Sequence, residues 1–95
     1  MIGYRFLPPA EEETFEAAFF YETANVGLGD DFLDDVENAI NSIRQWPEVG
    51  TEIADGFRRT LVRRFPFGIV YIVEPDCILV VAVAHLRRSP DYSEL

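Results

Sequence analysis

Two closely spaced apolar runs constrain this chain more than any other feature of its sequence. Residues 69–73 (IVYIV) and 78–84 (ILVVAVA) carry one polar group, the Tyr71 hydroxyl, and only four residues (EPDC) separate the runs. Runs of this length and composition are typical of β-strands, and Pro and Asp favour a tight turn between them. Because a parallel crossover needs about a dozen residues or more, the two strands are predicted to pair antiparallel.

Both faces of this predicted hairpin are apolar. Successive side chains of a strand point to opposite faces, so each face receives about half of the apolar side chains of the two runs. A lone antiparallel sheet usually shows one polar face. We therefore predict that helices cover one face, and that the C-terminal tail, a partner chain or a second copy of this chain covers the other.

The first half of the chain predicts one strand and two helices. Residues 4–7 form a strand candidate that two prolines end, and residues 9–24 have helical spacing with acidic residues at the start. Asp30 or Asp31 is predicted to cap a second helix, which ends at Trp46. The aromatic side chains of this half are predicted core residues: Phe15, Phe19, Phe20, Tyr21, Phe32 and Trp46.

The second half changes to the period of β-strands. Residues 57–65 (FRRTLVRRF) alternate in part and predict a strand, while residues 48–56 predict a linker. The expected architecture is a single α+β domain over residues 1–95, in the order strand–helix–helix–strand–strand–strand. In it a helical hairpin packs on a small, twisted, mainly antiparallel sheet.

The charge of the chain is uneven. The formal net charge is −9 without a single Lys; residues 1–56 carry 13 acids and two Arg, whereas residues 57–88 carry six Arg and two acids. This balance argues against broad nucleic-acid binding and leaves room for one local anion site. The apolar runs are far shorter than the roughly 20 residues of a membrane helix, and the N-terminal residues show no signal-peptide core.

Cysteine and histidine usage predicts neither a disulfide nor a cofactor. Cys77 is the one cysteine and therefore has no internal partner, which suits a reducing cytoplasm. One Cys and the single His85 give no metal-ligand spacing. We expect no metal and no cofactor.

Two segments resemble a known family of proteins. The segment FLDDVENAINSIRQWPEVG, followed by RRTLVRRFPFGIVYIVEPDCILVVAVAHLRRSPDY, is similar to sequences of the RelE/ParE superfamily of toxins from type II toxin–antitoxin pairs. The resemblance runs from about residue 7 to residue 92. It implies the helical hairpin on a twisted sheet, a cognate antitoxin of the ParD or RelB type, and one of two activities. RelE-like members cleave mRNA on the ribosome, and ParE-like members poison DNA gyrase.

The residues favour the ParE-like branch. RelE-like ribonucleases, as the family resemblance implies, rely on a set of Lys and Arg side chains and on a C-terminal Tyr or His. These groups stabilise the developing charge and transfer protons. Here Gly68 stands where those enzymes often carry a catalytic Arg, although Arg88 and Tyr92 match their tail. The resemblance thus implies a non-enzymatic inhibitor, with DNA gyrase as the expected target. The alternatives are a ribosome-dependent endoribonuclease that uses His85, Arg88 and Tyr92, and a non-toxic binding module of this fold.

The basic segment supplies the candidate contacts with a target or an antitoxin. They are Arg58, Arg59, Arg63, Arg64, His85, Arg87, Arg88 and Tyr92. Adjacent residues of a strand point to opposite faces, so one Arg of each pair has the alternative of binding helix acids such as Asp34, Asp35 or Glu37. The outward Arg set fits an antitoxin rich in Asp and Glu. His85 has three alternatives: an acid–base catalyst, a hydrogen-bonded end of the strand, or a binding contact.

Overall fold

Five strands and two helices make up residues 2–87, the part of the chain that this computed structural model describes. In chain order they are β1 (Gly3–Phe6), α1 (Pro8–Ala24), α2 (Leu28–Gln45), β2 (Thr51–Ala54), β3 (Phe57–Leu61), β4 (Phe67–Val73) and β5 (Cys77–His85). The strands form one sheet in the order β1-β5-β4-β3-β2. β1 pairs parallel with β5 and the other pairs are antiparallel. The predicted α+β class and mainly antiparallel sheet are confirmed. Neither helix has the length and apolar character that crossing a membrane requires.

The core lies between the helical hairpin and one face of the sheet. α2 contributes a stripe at helical spacing, β4 contributes every second side chain, and β5 contributes Ile78, Val80 and Val83 on either side of a register shift. The buried cluster consists of Ala10, Ala18, Phe32, Val36, Ile40, Ile43, Val62, Phe67, Ile69, Tyr71, Ile78, Val80 and Val83. Because the two central strands supply about half of these side chains, the predicted apolar hairpin is the centre of the fold.

The opposite face of the sheet, which we call the outer face, is also apolar at its centre. Val70 pairs with Ala82, and both alternate with residues that face the helices. Val70 and Ala82 are 0% and 8% exposed, although neither belongs to the cluster under the helices. The prediction of a sheet that is apolar on both sides is therefore confirmed.

The hydroxyl of the buried Tyr71 fixes the connection from α2 to β2. It donates a hydrogen bond to the Pro47 carbonyl (2.8 Å) and accepts one from the Gly50 N–H (2.9 Å). A Cβ on Gly50 would lie 2.7 Å from that hydroxyl, so the contact needs glycine. Burial raises the pKa of Tyr71, partly offset by the Gly50 hydrogen bond.

The prediction that Phe15, Phe19 and Phe20 of α1 are core residues is wrong. Phe15, Phe19 and Phe20 are 60%, 75% and 67% exposed, and small residues such as Ala18 face the core instead. The reason is the close approach of the helices: a Cβ built on Gly29 would lie 2.6 Å from the Ala18 carbonyl oxygen. No aromatic ring fits into that gap.

The predictions for the other three aromatic residues, Tyr21, Phe32 and Trp46, have different outcomes. Trp46 is 62% exposed and is not a core residue. Tyr21 and Phe32 do join the core region, where their ring centroids are 5.4 Å apart. Phe65, beyond β3, completes this group with its centroid 4.8 Å from that of Tyr21.

The start of α2 also differs from the prediction. The helix begins at Leu28, before Asp30 and Asp31, and no side chain of its own caps it. Glu22 at the end of α1 accepts the hydrogen bond from the Gly27 N–H instead (3.1 Å). Gly27 has a φ of 91°, which favours glycine. The first helix thus caps the second one across the turn.

The region from 48 to 65 contains one strand more than predicted and a shorter β3. The predicted linker 48–56 includes β2, which a turn at Gly56 (φ 80°) connects to β3. β3 ends at Leu61, because Val62 turns into the core and donates its N–H to the Phe67 carbonyl (2.9 Å). Arg63 and Arg64 therefore lie in a connection and not on the strand, contrary to the prediction.

Gly29→Ala tests the close crossing of the helices. The added methyl group would meet the Ala18 carbonyl at 2.6 Å and the Glu22 Cβ at 2.9 Å, and backbone cannot move aside easily. We expect the free energy of unfolding in urea to fall by about 1–3 kcal/mol. Gly3→Ala is the control, because no atom lies within 4 Å of its added Cβ. Equal stability of the two variants would contradict this packing.

Candidate functional site

An arginine and a leucine lie side by side on the outer face, over a glycine. Arg59 pairs with Val70, so its side chain leaves the sheet on the outer face. A Cβ on Gly68 would lie 2.9 Å from Arg59 Cδ and 3.4 Å from Leu86 Cδ2, which places both side chains over this glycine. The Leu86 N–H donates to the Pro66 carbonyl (2.8 Å). We call Arg59, Gly68 and Leu86 the glycine corner.

The glycine corner combines a cation with exposed apolar surface. Arg59 is exposed, and the neighbouring Leu61 and Leu86 are 57% and 41% exposed. The guanidinium group stays protonated and binds carboxylate or phosphate through two parallel hydrogen bonds. Arg63 is exposed in the connection that follows β3. The surface is therefore suited to binding an anionic, partly apolar partner, and it offers no group for acid–base catalysis.

Arg58 points to the opposite side and holds the fold together. It pairs with Tyr71 across the sheet, on the face that the helices cover. Its Nη1 donates to the Gly50 carbonyl (2.8 Å) and, more weakly, to the Glu48 carbonyl (3.4 Å). Of the arginine pair on β3, only Arg59 presents an exposed guanidinium group.

Arg64 binds a buried carboxylate on α2. Asp35 is 6% exposed, and its Oδ2 accepts hydrogen bonds from the Arg64 backbone N–H (3.0 Å) and Nε (3.1 Å). The hydrogen bond and charge of Asp35 raise the pKa of Arg64, with smaller contributions from Asp31 and Asp34. The pairing with helix acids, which the sequence left as one alternative, is thus present at Arg64.

His85 lies on the other side of the sheet from the glycine corner. It pairs with Phe67, which belongs to the core, and the two ring centroids are 5.2 Å apart. Its Nδ1 accepts a hydrogen bond from the Arg87 N–H (3.1 Å). His85 and Arg87 line an open groove of about 640 Å³ between α1 and β5. The structure therefore does not bring His85 together with Arg59, and the remaining candidates Arg88 and Tyr92 lie outside the described residues.

Glu13 is a member of this groove that sequence analysis missed. β1 pairs with β5 only as far as Val80, and beyond it the Glu13 carboxylate accepts the Val83 N–H (3.0 Å). Burial raises the pKa of Glu13; the Val83 hydrogen bond opposes this effect and the charge of Glu16 adds to it. The two partners are 70 residues apart, so no local pattern pointed to the contact.

The groove contains two carboxylates, an imidazole and a guanidinium group, but it does not form a metal centre. Nowhere in residues 2–87 are three or more His, Cys, Asp or Glu side chains grouped so that they could hold a metal ion. Cys77 is a half-buried free thiol whose Sγ lies 3.8 Å from Glu74 Oε1. The geometry thus supports binding surfaces more directly than it supports a reaction centre.

Asp35→Ala is expected to destabilise the fold. It removes the acceptor for two donors of Arg64 at a nearly buried position, so the free energy of unfolding in urea should fall by about 1–3 kcal/mol. Asp34→Ala removes the same charge from an exposed neighbour and should change stability by less than about 0.5 kcal/mol. Equal losses in both variants would show that charge, and not the buried contact, matters.

Glu13→Gln is expected to stabilise the chain at neutral pH. In the folded chain the pKa of Glu13 is raised above its ordinary value of 4.5, so folding favours the protonated carboxyl group. Stability therefore falls as the pH rises from that ordinary value through the raised pKa. Glutamine avoids this loss and keeps an oxygen acceptor for Val83. Urea unfolding at neutral pH should give a larger gain than for Glu12→Gln, an exposed charge-matched control. A loss of stability would contradict the assigned burial cost.

Comparison with known proteins agrees with this architecture. The family model described as ParE toxin of type II toxin–antitoxin system, parDE, matches residues 4–90. No curated protein matches the chain. A solved structure titled "Chromosomal ParDE TA system from P. aeruginosa" is similar with a TM-score of 0.67 and 15% identity, over 90% of this chain and 97% of that one. At this identity the structural similarity shows the fold.

Proposed function

The chain belongs to the family of ParE toxins of type II toxin–antitoxin systems, and from this premise we propose that it arrests growth by binding DNA gyrase in the cytoplasm. A cognate antitoxin would neutralise it. The observation that carries the proposal is the family match over residues 4–90. In this function the chain is an inhibitor and not an enzyme.

The glycine corner is the proposed contact with the target or the antitoxin. Arg59 presents an exposed side chain there and Arg63 is exposed in the connection that follows β3, whereas Arg58 and Arg64 are occupied by hydrogen bonds within the fold. Next to them lies apolar surface such as Leu61, and such a mixture of Arg and apolar side chains is typical of the centre of protein interfaces. Arg87, and from the sequence also Arg88 and Tyr92, extend the proposal beyond β5.

Two features of the described residues support binding over RNA cleavage. Gly68 stands where RelE-like enzymes often carry an arginine, and the Arg59 side chain occupies the space over it, 2.9 Å from a built Cβ. The imidazole of His85 faces the helices, away from Arg59. Arg59 therefore does not stabilise charge at a phosphate on which His85 transfers a proton.

The outer face is the proposed docking surface of the antitoxin. Val70 and Ala82 at its centre are already buried within the chain, so the apolar surface offered to a partner is that of Leu61 and Leu86, which are exposed. A partner segment that covers this face would also cover Arg59. A second copy of the chain is the other occupant that the sequence suggested, for conditions in which the antitoxin is absent.

Expression of the chain alone tests the proposed function. We expect growth arrest, an SOS response and inhibited supercoiling by purified gyrase. Codon-phased cuts in translated mRNA that disappear in His85→Ala would establish the ribonuclease alternative instead. Absence of both effects, with normal growth, would establish the non-toxic binding module.

Arg59→Ala combined with Arg63→Ala tests the glycine corner. Within residues 2–87 neither side chain donates a hydrogen bond that holds the fold together, so the double variant should fold. It should bind gyrase at least about tenfold more weakly. Arg5→Ala, on the edge strand β1, is the control for loss of an arginine outside this corner. Full inhibition by the double variant would remove this corner from the target-binding surface.

A further inference from the structure

Strand β5 loses its neighbour β1 halfway along its length. The two strands pair only as far as Phe6 with Val80, and the Leu7 N–H then donates to the Val80 carbonyl (2.9 Å). Pro8 and Pro9, which follow in the chain, have no N–H with which to continue this ladder. α1 begins there instead, so the second half of β5 has a helix and not a strand along this edge.

Two backbone groups on this edge of β5 have no hydrogen-bond partner within residues 2–87. The Leu86 N–H bonds on the β4 side, whereas the Val83 N–H bonds on the α1 side, to Glu13. Because the backbone groups of a paired strand point alternately to its two edges, the Val83 C=O and the His85 N–H also point towards α1. The next N–H on this side, that of Arg87, donates to His85 Nδ1. The open C=O and N–H thus lie between two donors that side chains already satisfy.

These open groups lie in the groove of about 640 Å³ between α1 and β5, which Val83 and His85 line. Val83 is 1% exposed, and buried backbone groups are normally hydrogen-bonded. The volume lies within the range of about 300–1,000 Å³ that is typical of sites for small ligands. A small molecule that supplies a donor to the Val83 C=O and an acceptor to the His85 N–H therefore suits this groove.

Charged side chains of both signs line the same groove. Glu13 and Glu16 are three residues apart on one side of α1, and Arg87 follows the end of β5. Within residues 2–87 no Arg or His side chain forms an ion pair with either glutamate. Burial raises the pKa of Glu13, the Val83 hydrogen bond opposes this effect, and the charge of Glu16 adds to it. The glutamates therefore favour a cation from outside the described fold, and Arg87 favours an anion.

The remaining wall of the groove is aromatic. Phe20, Tyr21 and Phe67 line it, and the ring centroid of Tyr21 lies 5.4 Å from that of Phe20 and 6.2 Å from that of Phe67. Phe20 is exposed, so an apolar group that enters the groove removes part of its ring from water. The groove thus offers an apolar contact in addition to its charges and its open backbone groups.

Several classes of ligand match only part of these features. Phosphate groups are repelled by the charges of Glu13 and Glu16. A polyamine pairs with these glutamates but leaves the His85 N–H without an acceptor, and an unpaired buried donor is unfavourable. A segment inside a protein chain pairs with the open backbone groups but brings no terminal charge to Glu13 or Arg87. A molecule with an ammonium group, a carboxylate and an apolar side chain matches all of them.

We propose that this groove binds a free α-amino acid with a large apolar side chain. The ammonium group donates to the Val83 C=O and pairs with Glu13. The carboxylate accepts the His85 N–H and pairs with Arg87, and the side chain packs on Phe20. One Cα separates the two charged groups of an amino acid, as it separates the N–H and C=O of a strand residue that bonds to a parallel neighbour. Neither gyrase nor an antitoxin takes part, so the site is independent of the proposed function.

Binding of small probes to the purified full chain tests the proposal. We expect L-leucine and L-phenylalanine to bind saturably, measured by calorimetry and by the NMR chemical shifts of the Val83 and His85 amides. N-acetyl-L-leucine lacks the ammonium group and L-leucinamide lacks the carboxylate, so each should bind at least about tenfold more weakly. No saturable binding of either amino acid, or equal binding of N-acetyl-L-leucine, would overturn the proposal.

Variants of the chain locate the two ends of the ligand. Glu13→Gln keeps an oxygen acceptor for Val83, so it should fold, and it should weaken binding of L-leucine at least about tenfold. The exposed control Glu12→Gln should leave binding unchanged. Arg87→Ala should weaken binding of L-leucine but not of L-leucinamide, and Arg5→Ala, outside the groove, should affect neither. Unchanged binding in Glu13→Gln, or equal effects of Arg87→Ala on both probes, would overturn the proposal.

Three other occupants of the groove have distinct signatures. If N-acetyl-L-leucine methylamide binds as strongly as L-leucine, the edge belongs to a segment of another protein. A dimer in sedimentation that Glu13→Gln dissociates would assign the groove to a second copy. Nuclear Overhauser contacts of the Tyr21 ring with residues 88–95 would assign it to the chain itself. Each of these results would overturn the proposal, whereas absence of growth arrest and of gyrase inhibition would overturn the proposed function alone.

Discussion

The structure depends on two neighbouring strands that have no polar face. β4 and β5 occupy the centre of the sheet, and their side chains are buried on the helical side at Ile69 and Val83 and on the outer side at Val70 and Ala82. Burial of apolar surface is the main favourable term in folding. A helical hairpin has one apolar layer to offer and covers one face. The other face is also buried at its centre, and Arg59 and Leu86 lie over it at Gly68.

The close approach of the two helices has consequences on their far side. Because Gly29 lies against the Ala18 carbonyl, α1 presents small residues to α2, and its large rings are left on the solvent side. The same helix carries a series of glutamates. The molecule therefore has two apolar surfaces of opposite electrostatic character, an acidic one on α1 and an arginine-bearing one at Arg59.

The candidate site was only partly predictable, because its arginines are identical in type and differ in their partners. Nothing local distinguishes Arg58 from Arg59, yet one donates to the Gly50 carbonyl and the other lies over Gly68. Arg64 is occupied by Asp35, 29 residues earlier in the chain. Glycine at position 68 was evident in the sequence as a departure from RelE-like enzymes. That it makes room for a neighbouring arginine became evident only from the sheet register.

The sequence by itself determined the α+β class, the order of the helices and most strands, and the apolar hairpin, since hydrophobic period and turn residues act over short distances. It also indicated the family, because the residues that resemble the RelE/ParE superfamily extend over nearly the whole chain. Only the tertiary structure decided which face of α1 is buried, where β3 ends at Leu61, and that His85 and Arg59 lie on opposite faces. These outcomes depend on contacts between residues distant in the chain, such as Glu13 with Val83, and no local pattern encodes the space that a neighbouring element leaves free.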